Sequence, residues 1–247
     1  MYLYIYDSFL SEPKYESILA AIERRVTDLD IKGKIARLSV LKNIKELVAD
    51  GVKNGVTTVV AIGDDQTFAK VINIAAQFDV TLGIIPVTTT STIARVLGIP
   101  PKEHACEVLA ARIIKRLDLG KINSQYFLNQ AQITNAAVTI TCDGFSLQPT
   151  TELNSITICN VGGTVTANCN PTDGILEAII TPIESNWLAK RTLQSTVLPF
   201  KKIMIRSRGE EEVSILTDEQ IIMKTPAEIV IAPSQLRVIV GSNRQFE

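Results

Sequence analysis

Two strand patterns, each followed at once by a polar turn and a helix pattern, lie within residues 56–98 and constrain the fold most. Residues 56–62 are a near-continuous β-branched run, which is typical of a strand covered on both faces. Gly63 ends this run, and a helix pattern begins near Gln66. A second strand pattern, residues 81–86, leads through a Thr-rich run into another helix pattern. We therefore predict two strand-to-helix turns at neighbouring strand ends, where open α/β sheets bind ligands and helix N-termini favour phosphate.

The first half of the chain alternates strand and helix patterns. Strands are predicted at residues 2–6, 34–38, 56–62 and 81–86, and the segments between them carry apolar residues at helical spacing. This β-α-β-α-β-α-β order predicts an α/β fold with a doubly wound parallel sheet and helices on both faces. A further helix is predicted over residues 101–116, with Cys106, Leu109, Ile113 and Ile114 facing inward.

The pattern changes near residues 117–121. Most of the remaining chain consists of short β-branched runs separated by Gly, Pro, Asn or Asp, which is typical of an antiparallel β-sandwich. Only residues 186–196 have a helical pattern. We therefore predict an α/β domain over residues 1–119 and a β-sandwich domain over residues 120–247.

Composition and charge exclude several classes of protein. The 247 residues are 46% hydrophobic, which indicates an ordinary globular protein. A net charge of −1 gives no electrostatic reason to expect a nucleic-acid partner. No apolar stretch approaches the ~20 residues that a membrane-spanning helix needs, and residues 1–9 lack the basic start of a signal peptide. We therefore expect a cytoplasmic protein without a transmembrane segment.

The four cysteines do not predict a metal site. Cys106, Cys142, Cys159 and Cys169 have no C-x-x-C spacing, and His104 is the one histidine of the sequence. Cys142 and Cys159 lie within apolar strand patterns. The simplest interpretation of these two residues is therefore a pair of reduced thiols in the core.

Motifs at both predicted turns match those of a known family in frame and spacing. Where that family has Gly-Gly-Asp-Gly-Thr, residues 63–67 are Gly-Asp-Asp-Gln-Thr. Where it has Pro-Leu-Gly-Thr-Gly-Asn-Asp-Phe-Ala-Arg, residues 86–95 are Pro-Val-Thr-Thr-Thr-Ser-Thr-Ile-Ala-Arg. The segment resembles the catalytic domain of the diacylglycerol kinase and bacterial lipid kinase family, which shares its architecture with NAD kinases. Residues 7–11 stand where this family has Asn-Pro-x-Ser-Gly, and residues 218–220 where it has Asp-Gly-Glu.

This resemblance implies an N-terminal nucleotide-binding domain and ATP-dependent phosphoryl transfer to a lipid hydroxyl in an interdomain cleft, with Mg²⁺ as the metal. It implies catalytic roles for Asp65 near the metal and for Asp218 as general base. Asp65 is the implied metal ligand and Asp64 a second candidate. The implied nucleotide-binding residues are Gly63, Asp64, Asp65, Gln66, Thr67, Thr88, Thr89 and Thr90. The implied partners are a nucleotide, a lipid substrate at the membrane periphery and, from exposed strand edges, a second copy of the chain.

Substitutions within the motifs leave alternatives open. Asp64, Gln66, Thr88 and Thr90 replace glycines whose backbone could approach phosphates closely. One alternative is a catalytically impaired kinase that binds a nucleotide, a lipid or a protein partner. Another is that Asp64 and Asp65 only cap a helix. An NAD kinase ranks lower, and a dinucleotide-dependent oxidoreductase lower still because no G-x-G-x-x-G follows the first strand.

Overall fold

Two units make up the chain in the computed structural model, which describes residues 1–38, 43–134, 137–142, 144–149, 154–163, 168–182, 194–218 and 221–246. Unit 1 comprises Met1–Leu117 and Gln235–Glu247, and unit 2 comprises Asp118–Ser234. The chain therefore enters unit 2 close to the boundary expected after residue 119, but it returns to unit 1 for its last segment. The sequence-based division assigned that segment to the second domain.

The helices and strands follow one another in a simple order. Unit 1 begins with β1 (Tyr2–Tyr6), α1 (Glu16–Asp28), β2 (Gly33–Arg37), α2 (Ile44–Lys53), β3 (Thr58–Gly63), α3 (Asp65–Ala75), β4 (Thr81–Pro86), α4 (Thr92–Val96) and α5 (Ala105–Ala111). The strands that follow are β5 (Ile114–Ile122), β6 (Gln125–Phe127), β7 (Gln130–Thr134), β8 (Val138–Cys142), β9 (Phe145–Leu147), β10 (Asn154–Cys159), β11 (Gly162–Gly163), β12 (Asn168–Cys169), β13 (Leu176–Pro182), β14 (Thr196–Phe200), β15 (Lys202–Ser207), β16 (Ser214–Thr217), β17 (Ile221–Lys224) and β18 (Ala227–Ile239). None of the helices in the described ranges is long and apolar enough to cross a lipid bilayer.

Unit 1 is built on a parallel sheet with the strand order β2-β1-β3-β4-β18. Each neighbouring pair is parallel, and the late strand β18 joins β4 through Arg237 opposite Thr81. Strands β3 and β4 are buried along their whole length, as their β-branched sequences indicated. The predicted parallel α/β architecture is thereby confirmed.

The helix predicted over residues 101–116 is shorter in the structure. Helix α5 ends at Ala111, because Arg112 adopts a left-handed conformation with φ of 52°. The Arg112 guanidinium donates to Tyr2 Oη and Thr58 Oγ1, both at 3.1 Å, which holds the turn in place. Ile113 and Ile114 are 43% and 40% exposed. The expectation that they face inward on a helix is therefore wrong.

Unit 2 consists of antiparallel strands, most of which lie in two sheets. One sheet has the order β14-β13-β10-β7-β16-β17, and the N-terminal part of β18 pairs with β15, which pairs with β8 and then β9. Apolar side chains from both sheets form one core, for example Ile133 and Ile158 with Ile140 and Ile205. The predicted sandwich is thereby confirmed. The helix predicted over residues 186–196 lies largely outside the described residues, and its last residue, Thr196, begins β14.

The cysteines differ from expectation at one pair. Cys159 forms a disulfide with Cys169, because the strand pair β11–β12 brings the two Cα atoms to 6.1 Å. The interpretation of Cys159 as a reduced thiol is therefore wrong. Cys106 and Cys142 are buried thiols, as expected for Cys142, and burial raises the pKa of Cys106 to about 11.

The carboxyl group of Glu177 on β13 couples the stability of unit 2 to pH. Burial raises the pKa of Glu177 to about 7, and the nearby charge of Asp173 adds to this shift. Its Oε2 atom is buried and has no hydrogen-bond partner within the described part of the chain. In an unfolded chain the pKa of Glu is about 4.3. The native state therefore binds more protons between these two values, so this group lowers the free energy of unfolding as pH rises from about 4.5 to about 7.

We expect Glu177→Gln to stabilise the protein at pH 8 and to leave its stability nearly unchanged at pH 4.5. The amide carries no charge to desolvate at pH 8, and we expect a gain of about 1 kcal/mol. Urea unfolding at both pH values measures this difference. An equal effect of the substitution at pH 4.5 and pH 8 would show that the charge of Glu177 is not its cause.

Candidate functional site

The carboxyl ends of three adjacent parallel strands meet at one edge of the unit 1 sheet. Tyr6, the last residue of β1, pairs with Ile62 of β3, and Gly63 pairs with Pro86 at the end of β4. The segments that follow β1, β3 and β4 therefore lie next to one another. This edge is where open α/β sheets bind ligands, and the two turns predicted from the sequence are neighbours there.

A capping box between Asp64 and Thr67 closes the turn after β3. Thr67 N–H donates to Asp64 Oδ1 at 3.0 Å, and Asp64 N–H donates to Thr67 Oγ1 at 3.4 Å. Thr67 is fully buried. A Cβ on Gly63 would lie 2.3 Å from the Thr67 hydroxyl oxygen, so this close approach requires glycine. The carboxylate of Asp64 thus binds the N-terminal end of α3, where a phosphate could otherwise bind.

The carboxylate of Asp65 connects the two turns. Its Oδ2 accepts the backbone N–H of Thr92 at 2.7 Å, and its Oδ1 accepts the hydroxyl of Ser91. Ser91 Oγ in turn accepts the N–H of Ala94 at 3.0 Å and caps α4. The first residue of α3 therefore holds the start of α4 in place. Through this contact the structure brings together the two motifs that the sequence placed about twenty residues apart.

The remaining predicted nucleotide-binding residues surround this contact. Gln66, Thr89 and Thr90 are exposed, and Thr88 is half-buried. The backbone before them is fixed, because Val87 N–H donates to the carbonyl of Gly63 at 3.0 Å. Hydroxyl groups at the exposed positions can donate hydrogen bonds to a ligand in the solvent-facing part of the site.

Asp7 is a third carboxylate at this edge, and the sequence did not identify it as a candidate binding residue. Its N–H donates to Ile62 O at 3.1 Å, and its Oδ2 accepts the Thr67 hydroxyl at 2.7 Å. Its Oδ1 accepts the N–H of Phe9 at 3.4 Å. The strand order of the sheet could have identified Asp7. Because β1 and β3 are neighbours in parallel, the polar residue that follows β1 must lie beside the turn that follows β3.

Asp218 follows β16 in unit 2 and is only 5% exposed. Its Oδ2 accepts the N–H of Leu128 at 2.8 Å, and its Oδ1 accepts those of Asn129 at 2.7 Å and Gln130 at 3.1 Å. The carboxylate therefore holds the backbone that leads from β6 into β7. Residues 219–220 lie outside the described residues. A role for Asp218 as general base stays a prediction.

The oxygen atoms at the unit 1 edge suit a hard cation. Asp7, Asp64 and Asp65 offer carboxylate oxygens, which Mg²⁺ prefers. Within the ranges that the structure describes, no three His, Cys, Asp or Glu side chains are grouped to hold a metal ion. Mg²⁺ therefore fits here if phosphates or water supply its other ligands, as is usual with nucleotides. A carboxylate about 4 Å from a phosphate charge repels it by about 4 kcal/mol at an effective dielectric of about 20, so a phosphate bound at this edge would need a cation beside it.

Comparisons with known proteins agree on one family of kinases. The model of the diacylglycerol kinase catalytic domain matches residues 2–122. The diacylglycerol kinase of Bacillus subtilis (strain 168) is 40% identical over 77 residues, which cover 30% of this chain and 25% of that protein. The diacylglycerol kinase of Staphylococcus saprophyticus is 39% identical over 75 residues, covering 29% and 25%. The matched segments thus span about a quarter of these curated relatives.

Similarity to a solved structure extends over nearly the whole chain. A structure described as a diacylglycerol kinase from Bacillus anthracis str. Sterne superimposes with a TM-score of 0.78. The two chains are 20% identical, and the superposition covers 98% of this chain and 97% of the other. At this level of identity the likeness concerns the fold.

Proposed function

Because the chain belongs to the diacylglycerol kinase catalytic-domain family through residues 2–122, we propose that it transfers a phosphoryl group from Mg-ATP to a lipid hydroxyl. We propose a diacylglycerol-type acceptor because the relatives from Bacillus subtilis and Staphylococcus saprophyticus are diacylglycerol kinases. A lipid acceptor implies at least transient contact with a membrane surface.

The contact of Asp65 with Ser91 and Thr92 is the observation that carries this proposal. Phosphoryl transfer depends mainly on positioning the phosphates and on stabilising their charge. By bridging the starts of α3 and α4, Asp65 keeps the two candidate phosphate-binding turns in a fixed relation. A role that used only one turn would not need this bridge.

The side chains at the site have separate tasks in the proposed reaction. Bound Mg²⁺ would neutralise phosphate charge. The exposed hydroxyls of Thr89 and Thr90 donate hydrogen bonds to phosphate oxygens in place of the missing glycine backbone. Asp64 and Asp65 would hold the cation through carboxylate oxygens, with phosphates or water as its other ligands. Asp218 in unit 2 is the proposed base for the acceptor hydroxyl.

A second candidate function is a catalytically impaired kinase that retains binding. The capping box favours it, because the Asp64 carboxylate binds the N–H of Thr67 at the end of α3 where a phosphate would be held. Such a protein would bind a nucleotide, a lipid or a protein partner without turnover. An NAD kinase, which would use the same edge of the sheet, ranks below both.

We expect Mg-ATP to bind weakly, with a dissociation constant near 1 mM, which corresponds to about −4 kcal/mol. The Asp64 carboxylate repels the phosphates, and Mg²⁺ offsets this repulsion only in part. Calorimetric titration with Mg-ATP, and with ATP plus a chelator as control, measures the affinity. Absence of heat at millimolar Mg-ATP would argue against the lipid kinase and against an impaired kinase that binds a nucleotide.

Turnover is tested with labelled ATP and a mixed-lipid extract. Transfer of label to an extractable lipid supports the kinase, and its chemical identity defines the acceptor. A parallel reaction with NAD as acceptor tests the NAD kinase. Nucleotide binding without any labelled product favours the impaired kinase.

A further inference from the structure

We propose that Asp7 is a positioning residue for the turn at residues 63–67, and that its charge sets how tightly the proposed nucleotide binds. The second part rests on the proposed function, whereas the first concerns the protein alone. Asp7 comes from the end of β1, and the turn follows the neighbouring strand β3. The contact between them is therefore formed between strands and is not part of the helix cap itself.

The geometry around the Thr67 hydroxyl defines the task of Asp7. Thr67 Oγ1 lies 2.7 Å from Asp7 Oδ2 and 3.1 Å from Asp64 Oδ1. A hydroxyl has one proton, so it can donate fully to one of these carboxylates. Asp7 is the nearer acceptor. Donation to Asp7 turns the lone pairs of Thr67 toward the N–H of Asp64, which donates to Oγ1 at 3.4 Å.

This arrangement places two carboxylates around a single buried hydroxyl. Thr67 is fully buried, whereas Asp7 and Asp64 are half-buried, so their charges are only partly screened by water. The backbone of Asp7 is also held, because its N–H donates to Ile62 O and its carbonyl accepts the N–H of Leu10. Its Oδ1 accepts the N–H of Phe9 and the hydroxyl of Ser8. Asp7 therefore stabilises the turn by a hydrogen bond and opposes a phosphate by its charge.

Two substitutions of Asp7 separate these effects. In Asp7→Asn, the amide oxygen can still accept the N–H of Phe9, while its NH₂ group donates to Thr67 Oγ1. The Thr67 hydroxyl is then free to donate to Asp64 Oδ1, so the contacts persist and one negative charge is lost. In Asp7→Ala, both the hydrogen bond and the charge are lost.

Amide hydrogen exchange of the protein without ligand tests the positioning role. We expect the amides of Asp64 and Thr67 to exchange about tenfold faster in Asp7→Ala, since a hydrogen bond to a charged group contributes about 1.5 kcal/mol. We expect rates within about twofold of the parent protein in Asp7→Asn, because a hydrogen bond to Thr67 persists with donor and acceptor exchanged. Unchanged rates in Asp7→Ala, or equally raised rates in both variants, would overturn the positioning role.

Calorimetry with Mg-ATP at low and high salt tests the charge. We expect Asp7→Asn to bind several-fold more tightly than the parent protein at low salt, with a smaller gain at high salt because salt screens the repulsion. Asp7→Ala should bind more weakly than Asp7→Asn. Equal affinity of Asp7→Asn and the parent protein at low salt would refute the charge effect. If the parent protein binds no nucleotide, the proposed function fails, and hydrogen exchange still decides the positioning role.

Asp30→Asn is the matched control for the loss of one charge. Asp30 precedes β2 and therefore lies at the amino-terminal ends of the parallel strands, whereas the site lies at their carboxyl ends. Its exposed carboxylate is 3.8 Å from Lys32 Nζ. Its φ of 53° is tolerated by asparagine. We expect this variant to match the parent protein in both measurements. A comparable gain in affinity from Asp30→Asn would mean that net charge, and not the place of Asp7, controls binding.

Discussion

Replacing Asp65 with alanine is expected to reduce Mg-ATP binding below what calorimetry detects, because the loss of two charge-assisted hydrogen bonds of about 1.5 kcal/mol each weakens an affinity that is already only ~1 mM by about a hundredfold. Thr92 N–H and the Ser91 hydroxyl lose their shared acceptor, so the start of α4 is no longer tied to α3. Phosphoryl transfer, if the parent protein shows it, should become undetectable. Calorimetry and the labelled-ATP assay measure the two effects.

Asp65→Asn and Asp28→Ala provide the comparison for this experiment. The amide in Asp65→Asn can still accept from Thr92 and donate to Ser91, so we expect it to retain part of the affinity. Asp28 is an exposed carboxylate in the last turn of α1, and its loss should have no effect. Parent-like nucleotide affinity in Asp65→Ala would remove the bridge from the explanation of binding.

Asp218→Asn is expected to lower the free energy of unfolding by about 2–4 kcal/mol, because buried N–H donors lose their acceptors. The carboxylate accepts N–H groups from Leu128, Asn129 and Gln130 with both of its oxygens. The amide has one oxygen, and its NH₂ group would face at least one of these donors. Urea unfolding measures the loss, with Glu210→Gln in an exposed turn of unit 2 as control.

This expectation changes how a test of catalysis at Asp218 must be interpreted. From the sequence alone, Asp218→Asn is expected to block phosphoryl transfer and to preserve the fold. The structure indicates that lost transfer would also follow from a displaced backbone between β6 and β7. An unfolding free energy equal to that of the parent protein would contradict the structural role and make the substitution a clean test of the base.

The α/β part of the fold could be predicted because its signals are local. Buried parallel strands have unbroken β-branched runs, and the residues that cap their helices stand next to them in sequence, as Asn43 does for α2. Strand pairing over long distances has no such signal. The return of β18 to β4 could therefore not be seen, although residues 236–240 were recognised as a strand.

The candidate site was predicted in its composition but not in its contacts. The motifs located Asp64, Asp65 and the Thr-rich turn, yet they did not show that Asp64 caps α3 while Asp65 binds the start of α4. Residues 7–11 were matched to a family motif, but the contact of Asp7 with Thr67 could not be predicted because the two residues are sixty positions apart along the chain. The burial of Asp218 depends on the fold of unit 2, which no single segment specifies.

The position of β18 also has a consequence for biosynthesis. Ribosomes make the chain from its N-terminus, so β4 emerges long before Arg237 and Val238, which pair with it. Until then β4 is an open edge with unpaired N–H and C=O groups, the kind of edge that recruits foreign strands. The first unit can therefore finish folding only after the whole second unit has been synthesised, and translational arrest between the two would leave an aggregation-prone nascent chain.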